Sequence, residues 1–212
     1  MTAPPTHESA PHAGVIREQC VVVLLAAGAG SRFHGGVHKL SARFRQSGHD
    51  DGSTVIERSL ASALAAEVGP VVVVTGAMPD IVPVHVLDSV MVRHNARWEE
   101  GQITSVHAGI DAACALGATT VVVGLADQPF IDAAAWRAVA SAVGPIVVAT
   151  YDGRRANPVK LDATVWELLP TSGDEGARAL MRVRPELVRE VACTGSPADI
   201  DTTEDLRRWQ SN

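Results

Sequence analysis

Short runs of apolar, mostly β-branched residues recur along the chain, at 21–25, 71–75, 84–87, 120–125, 146–150 and 187–191. In most of them valine follows valine without polar alternation, the pattern of strands covered on both faces. The intervening stretches 55–68, 103–116 and 132–143 are rich in alanine and leucine and predict helices packed on a sheet. Strand and helix therefore alternate. The expected fold is a single-domain α/β structure, a doubly wound, mostly parallel sheet with helices on both faces and right-handed crossovers. Ligands of such sheets bind outside the carboxyl ends of the strands.

That rule directs attention to the residues after the first run, Leu25-Ala-Ala-Gly-Ala-Gly-Ser-Arg32, and to Lys39 beyond them. Gly28 and Gly30 can take positive φ and let a ligand approach the backbone, while Arg32 and Lys39 supply the charge a polyphosphate needs. Nothing in the chain has the Gly-Lys-Ser/Thr of a P-loop. A dinucleotide-binding turn would have a third glycine where Phe33 stands and an acidic residue closing the second strand, which instead runs into Thr75-Gly-Ala77. A bare strand-to-helix turn would explain the glycines but not the two cations together. The loop thus reads as a nucleotide phosphate cradle.

Other polar residues fall on the same rim. Asp127 closes the 120–125 run in Gly124-Leu-Ala-Asp-Gln-Pro129, and the helix after it already has Asp132 as its N-cap. Asp201 lies in Ala198-Asp-Ile-Asp-Thr-Thr-Glu-Asp-Leu206, where Thr202 or Thr203 can cap a final helix with Glu204 and Asp205 in its first turn. Capping needs neither Asp127 nor Asp201. Two carboxylates at neighbouring strand ends, opposite a phosphate loop, suit Mg²⁺, which takes one or two carboxylates plus substrate phosphates. Asn95 and Ser105 bound a polar stretch before the second helix and are candidates for base or ribose contacts, a plain loop being the equal alternative. Arg154, Arg155 and Asn157 offer an anchor for an anionic second substrate, or simply a solvated turn. His34 and His38 have no third ligand at metal spacing and are expected in solvent. Gly173-Asp-Glu-Gly-Ala-Arg178 is expected to start a helix capped by Asp174. Residues 35–53, polar and glycine-rich, predict a long loop beside the cradle, a candidate lid.

Composition narrows the partners. With 212 residues and a formal charge of −6, the chain can bury a sizeable core and lacks the basic excess expected for nucleic-acid or anionic-membrane binding. Cys20, Cys114 and Cys193 have no CxxC spacing, so neither a disulfide framework nor a zinc site is expected, and the two within apolar runs are expected as core thiols. Residues 1–19 are rich in Pro, Ala and His and predict a disordered tail, leaving 20–212 as the folded domain. No apolar run approaches the ~20 residues of a membrane span, and a cytoplasmic location is expected.

Taken in order, Leu25 to Arg32 with Lys39, Asn95 with Gly101-Gln-Ile-Thr-Ser-Val106, Ala126-Asp-Gln-Pro129, Asn157-Pro-Val159, Gly173 to Arg178 and Asp199 to Leu206 resemble the MobA-like nucleotidyltransferases. Within them the chain is most similar to the molybdenum cofactor cytidylyltransferases, over about residues 21–206. The resemblance implies a Rossmann-like nucleotidyltransferase fold. It also implies Mg²⁺-dependent transfer of a nucleoside monophosphate to a substrate phosphate, with release of pyrophosphate. Leu25, Ala26, Ala27, Gly28, Gly30, Ser31, Asn95 and Ser105 would bind nucleotide, Arg32, Lys39 and Asp127 would be catalytic, and Asp127 and Asp201 would hold the metal. Guanylyl-transferring relatives usually carry Ala-Gly-Gly where this chain has Ala26-Ala27-Gly28, so the resemblance implies CTP. It further implies molybdopterin cofactor as acceptor and a molybdoenzyme client, or its maturation chaperone, as partner. The segment between Lys39 and Thr54 is longer and more polar than the family's usual short run, which leaves the acceptor open. A guanylyl- or uridylyltransferase acting on another small phosphorylated acceptor is the alternative, as is a non-catalytic binding module.

Overall fold

The computed structural model describes residues 19–34, 36–44 and 52–210. The anticipated tail, up to residue 18, and the middle of the anticipated lid, 45–51, lie outside the described residues. The apolar runs form strands β1 (Cys20–Ala26), β2 (Val71–Thr75), β4 (Thr120–Leu125), β5 (Ile146–Tyr151) and β7 (Val188–Ala192). Two further strands are β3 (Met91–His94) and β6 (Arg154–Asp162). The helices are α1 (Val55–Ala65), α2 (Gln102–Ala115), α3 (Ala133–Ser141), α4 (Arg178–Val183) and α5 (Thr203–Gln210).

All seven strands join one sheet in the order β3-β2-β1-β4-β6-β5-β7, and β6 alone among them runs antiparallel to its neighbours. Residues of β1 alternate between two cores. Val22, Leu24 and Ala26 pack with α1 and α3, whereas Val21, Val23 and Leu25 pack with α2 and α4. The doubly wound, mostly parallel sheet expected from the valine runs is therefore present. β1 lies between β2 and β4, so the strand order reverses there. A crevice at such a reversal is where α/β sheets place their ligands.

Three expectations are corrected. Residues 84–87 are not a strand: Pro83 leads into a 3₁₀ turn, Val84–Ser89, and the third strand is Met91–His94, an edge strand with every residue exposed. Residues 154–162 form an unforeseen strand. Neither apolar-run cysteine is a core thiol, since Cys20 and Cys193 are half-buried, and Cys114 is exposed.

Candidate functional site

The loop after β1 is shaped by its glycines and by His38. Gly30 has φ +62°, and a Cβ there would meet the His38 ring at 3.1 Å and Lys39 at 3.2 Å. Gly28 does not adopt positive φ, contrary to expectation, and no protein atom lies within 4 Å of where its Cβ would stand. His38 is not simply solvated. Its Nε2 lies 3.0 Å from the Gly28 carbonyl and its Nδ1 accepts from Leu40 N–H, capping a 3₁₀ turn at Lys39–Ser41. Leu40 is buried in the core. The turn consequently fixes the root of Lys39, whose ammonium reaches across the rim.

There Lys39 Nζ sits 2.6 Å from Asp127 Oδ2 and 2.7 Å from Asp201 Oδ1. Arg32, on an exposed side chain, pairs with Asp201 Oδ2 at 2.9 Å. Asp127 projects from the end of β4, where Ala126 N–H bonds to Leu25 O of β1. Asp201 is placed by its neighbour: Ile200 is fully buried and its N–H donates to Asp127 O at 2.9 Å. Burying an isoleucine contributes about 1.5–3 kcal/mol, against about 0–1 kcal/mol for an exposed ion pair, so the core rather than Arg32 holds Asp201 in place. Thr202 and Asp205 exchange hydrogen bonds at the start of α5, as anticipated, and leave Asp201 free of that role.

Burial opposes the charge on Lys39, but Asp127 and Asp201 outweigh it and hold the ammonium above its usual pKa. Asp199, two residues before Asp201, is shifted upward by burial, aided by Asp127 and Asp201, although Gln128 bonds to it and opposes the shift. Gln128 is buried, donates to Asp199 Oδ1 at 2.6 Å and to Pro197 O at 3.0 Å, and accepts from Asn157 Nδ2 at 3.0 Å. These contacts tie β6 to the carboxylate cluster. Gln128 and Asp199 were not singled out from the sequence, although both stand inside the motifs quoted for the resemblance.

A cavity of about 530 Å³ opens over this cluster. Leu25, Ala26, Ala27, Gly28, Arg32, Lys39, Ser105, Asp127 and Asp201 line it, together with Trp98, Gln102, Asp174, Arg178 and Asp199. Gly30 and Ser31, also expected to bind nucleotide, belong to the turn that follows β1 and do not line it. Asn95 lies in a separate depression, its amide nitrogen donating to Thr104 and Ser105 and its oxygen accepting from Arg97 N–H. Its bonds brace the start of α2 rather than reach into the cavity. Asp174 does not cap α4, whose N-cap is Ala177, but faces the cavity instead. Arg155 pairs with Glu190 at 2.7 Å.

Asp127 Oδ1 is buried with no partner among the described residues. Such an orphaned acceptor, beside a second carboxylate, fits a divalent cation. No group of three or more His, Cys, Asp or Glu arranged for a metal occurs among the described residues. A cation held there would therefore need oxygens from a ligand, as Mg²⁺ commonly does.

The MobA-like NTP transferase domain model matches residues 22–191. The chain is 32% identical over 204 residues to nicotine blue oxidoreductase of Paenarthrobacter nicotinovorans, covering 89% of this chain and 96% of the relative. A nucleotidyl transferase from Methanothermobacter thermautotroptrophicus superposes with a TM-score of 0.76 at 23% identity, covering 92% and 97% of the two chains. Rv0371c of Mycobacterium tuberculosis H37Rv, solved in complex with manganese, superposes with a TM-score of 0.66 at 26% identity, covering 90% and 97%.

Proposed function

Because the chain belongs to the MobA-like NTP transferase domain family and is a nucleotidyltransferase of that kind, we propose that it transfers CMP from CTP to the phosphate of a molybdopterin-type cofactor, with Mg²⁺ as its divalent cation. The observation that carries this reading is the convergence of Lys39, Asp127 and Asp201 beside Gly28 at the β1–β4 reversal. An acceptor phosphate oxygen attacks the α-phosphorus in line, a new P–O bond forms, and the bond to the α,β-bridging oxygen breaks. Pyrophosphate leaves with that electron pair, and no covalent enzyme intermediate is required. Arg32 and Lys39 bind and neutralise the departing phosphates, and the Ala27–Gly28 backbone lets them approach.

Asp127, Asp174, Asp199, Asp201 and Glu99 face Arg32, Lys39 and Arg178 across the cavity, an acidic surplus for a site meant to hold a triphosphate. A divalent cation held through Asp127 and Asp201 would supply the missing positive charge at the α-phosphate. The manganese complex of the structural relative agrees with this. Ser105 faces the same cavity and remains a candidate for ribose or base contact.

The relative named as an oxidoreductase supplies a second reading, because the alignment spans 96% of its length. Hydride transfer gives the two carboxylates and their lysine no role, which favours nucleotidyl transfer. The test is pyrophosphate release with Mg²⁺ and molybdopterin-type cofactor, offering CTP, GTP, UTP and ATP in parallel. Release with CTP alone is expected; release with GTP would move the chain to the guanylyltransferases. No release with any nucleotide, together with oxidation of NADH or NADPH by an added quinone-type dye that takes up the hydride, would replace the proposal with the oxidoreductase reading.

A further inference from the structure

The loop after β1 treats its carbonyls and its amides differently. Ala27 O accepts from Ala77 N–H at 3.0 Å, Gly30 O accepts from Phe33 N–H at 2.9 Å, and Gly28 O lies 3.0 Å from His38 Nε2. The N–H groups of Gly28, Ala29, Gly30 and Ser31 have no acceptor among the described residues. The negative ends of these peptides are thus drawn into the protein and the positive ends are left for a ligand, as in a backbone anion site. Two of the three carbonyls are held by backbone. That of Gly28 is held by a side chain.

Gly28 needs such a hold. It lines the phosphate cavity, and no protein atom lies within 4 Å of where its Cβ would stand, so its peptide can turn over at little steric cost. Turned over, it would aim the Gly28 carbonyl at the phosphates and take the Ala29 N–H away from them, because the two groups lie on opposite sides of a trans peptide. His38 does not line the cavity, so a carbonyl drawn to its ring is a carbonyl drawn out of the site. Gly30, at φ +62°, leaves room for the ring, which a Cβ there would crowd at 3.1 Å.

The bonds also fix the tautomer. Nδ1 accepts from Leu40 N–H at 3.3 Å, so the ring hydrogen resides on Nε2 and is donated to the Gly28 carbonyl. One imidazole therefore has two separable tasks: Nδ1 caps the turn that carries Lys39, and Nε2–H orients the Gly28 peptide.

We infer that His38 is a positioning residue of the phosphate cradle: by donating to the Gly28 carbonyl it keeps the Ala29 N–H turned toward the phosphates of the nucleotide. It acts through the backbone, without lining the cavity itself. The inference rests on the nucleotide-binding reading of the loop for its purpose but is tested by binding, without turnover.

Two substitutions separate the tasks. His38→Gln places an amide N–H where the imidazole has Nε2–H but is a poor N-cap, whereas His38→Asn keeps a side-chain oxygen for Leu40 N–H but stops short of Gly28. The probes are inorganic tripolyphosphate and a non-hydrolysable CTP analogue, titrated calorimetrically with Mg²⁺ into the full chain, with a thermal melt of each variant. His38→Asn is expected to weaken both probes about tenfold and His38→Gln to stay within about twofold of wild type. Stability should run the other way, with His38→Asn melting above His38→Gln. A merely structural role would make the two orders agree. Wild-type affinity in His38→Asn, or losses of affinity that follow the melting temperatures, would overturn the inference. Failure of the wild type to bind either probe would overturn it together with the nucleotide reading. The opposed orders in a protein that releases no pyrophosphate from any nucleotide would uphold the role of His38 while contradicting the transfer reading.

Discussion

At the scale of single residues the site is organised around Lys39, whose ammonium occupies the space between two carboxylates that a divalent cation would share. On the proposed reading lysine and metal would compete for the same oxygens, and the lysine would leave them for the phosphates when both ligands are present. Lys39→Met should consequently tighten Mn²⁺ binding to the nucleotide-free protein by about tenfold, read by electron paramagnetic resonance of free Mn²⁺, because two acidic groups lose their internal counter-charge. Unchanged or weaker Mn²⁺ affinity would remove Asp127 and Asp201 from the metal site. The chemical types at this centre were legible in the sequence, since Arg32, Lys39, Asp127 and Asp201 each stand where secondary structure gives them no other task. Their mutual contacts were not, because Lys39 is separated from its partners by 88 and 162 residues. Asn95 shows the converse: a polar residue in the right segment whose hydrogen bonds are consumed locally.

At the scale of elements, local signals account for both the successes and the omissions. Helix α1 opens with a capping box in which Thr54 Oγ1 accepts from Glu57 N–H and Glu57 accepts from Thr54 N–H at 2.6 Å. Burial raises the Glu57 pKa, but the bonds from Thr54 outweigh it and hold the carboxyl below its ordinary 4.5. A depressed folded-state pKa stabilises the protein above the unfolded value, and the increment is lost as pH falls through the folded value. Thermal melts should show Glu57→Gln less stable by about 1 kcal/mol at neutral pH, with the difference from wild type closing below about pH 4. A difference independent of pH would mean that the carboxylate charge is not what Thr54 stabilises.

Strand β6 was hidden by Pro158, which argues against a central strand. The ladder to β5 shifts register there, pairing Val148 with Val159 and Ala149 with Ala156, so Asn157 and Pro158 stand outside that pairing. The signal that could have revealed the strand is Asp152-Gly153 between Tyr151 and Arg154. Both residues have positive φ, as a two-residue hairpin turn requires. Edge strand β3 was missed for the opposite reason: with every residue exposed, it needs no valine run.

At the scale of the whole molecule, two apolar layers clamp one sheet, and the reversal between β1 and β4 opens the crevice that the strand order alone predicts. Long buried strands were therefore easy to read and fold class followed from them, whereas the cavity over the carboxylates, assembled from segments as distant as Gly28, Ser105 and Asp201, has no signature in any one of them. No described helix is long and apolar enough to cross a membrane. On the proposed reading the chain would lend the metal only the carboxylates of Asp127 and Asp201, and the fold is expected to stand without the ion. EDTA should abolish transfer while shifting Tm by no more than about 1 °C; a larger fall would identify a structural metal. The central claim is nucleotidyl transfer at the Asp127–Asp201 centre, tested most directly by following label from [α-³²P]CTP and from [γ-³²P]CTP in wild type and Asp127→Asn. The α-label should pass to the acceptor and the γ-label to pyrophosphate, with the variant slowed by about 10³-fold or more although still folded. Retention of the α-label on free CTP by the wild type, or transfer by Asp127→Asn at the wild-type rate, would contradict it.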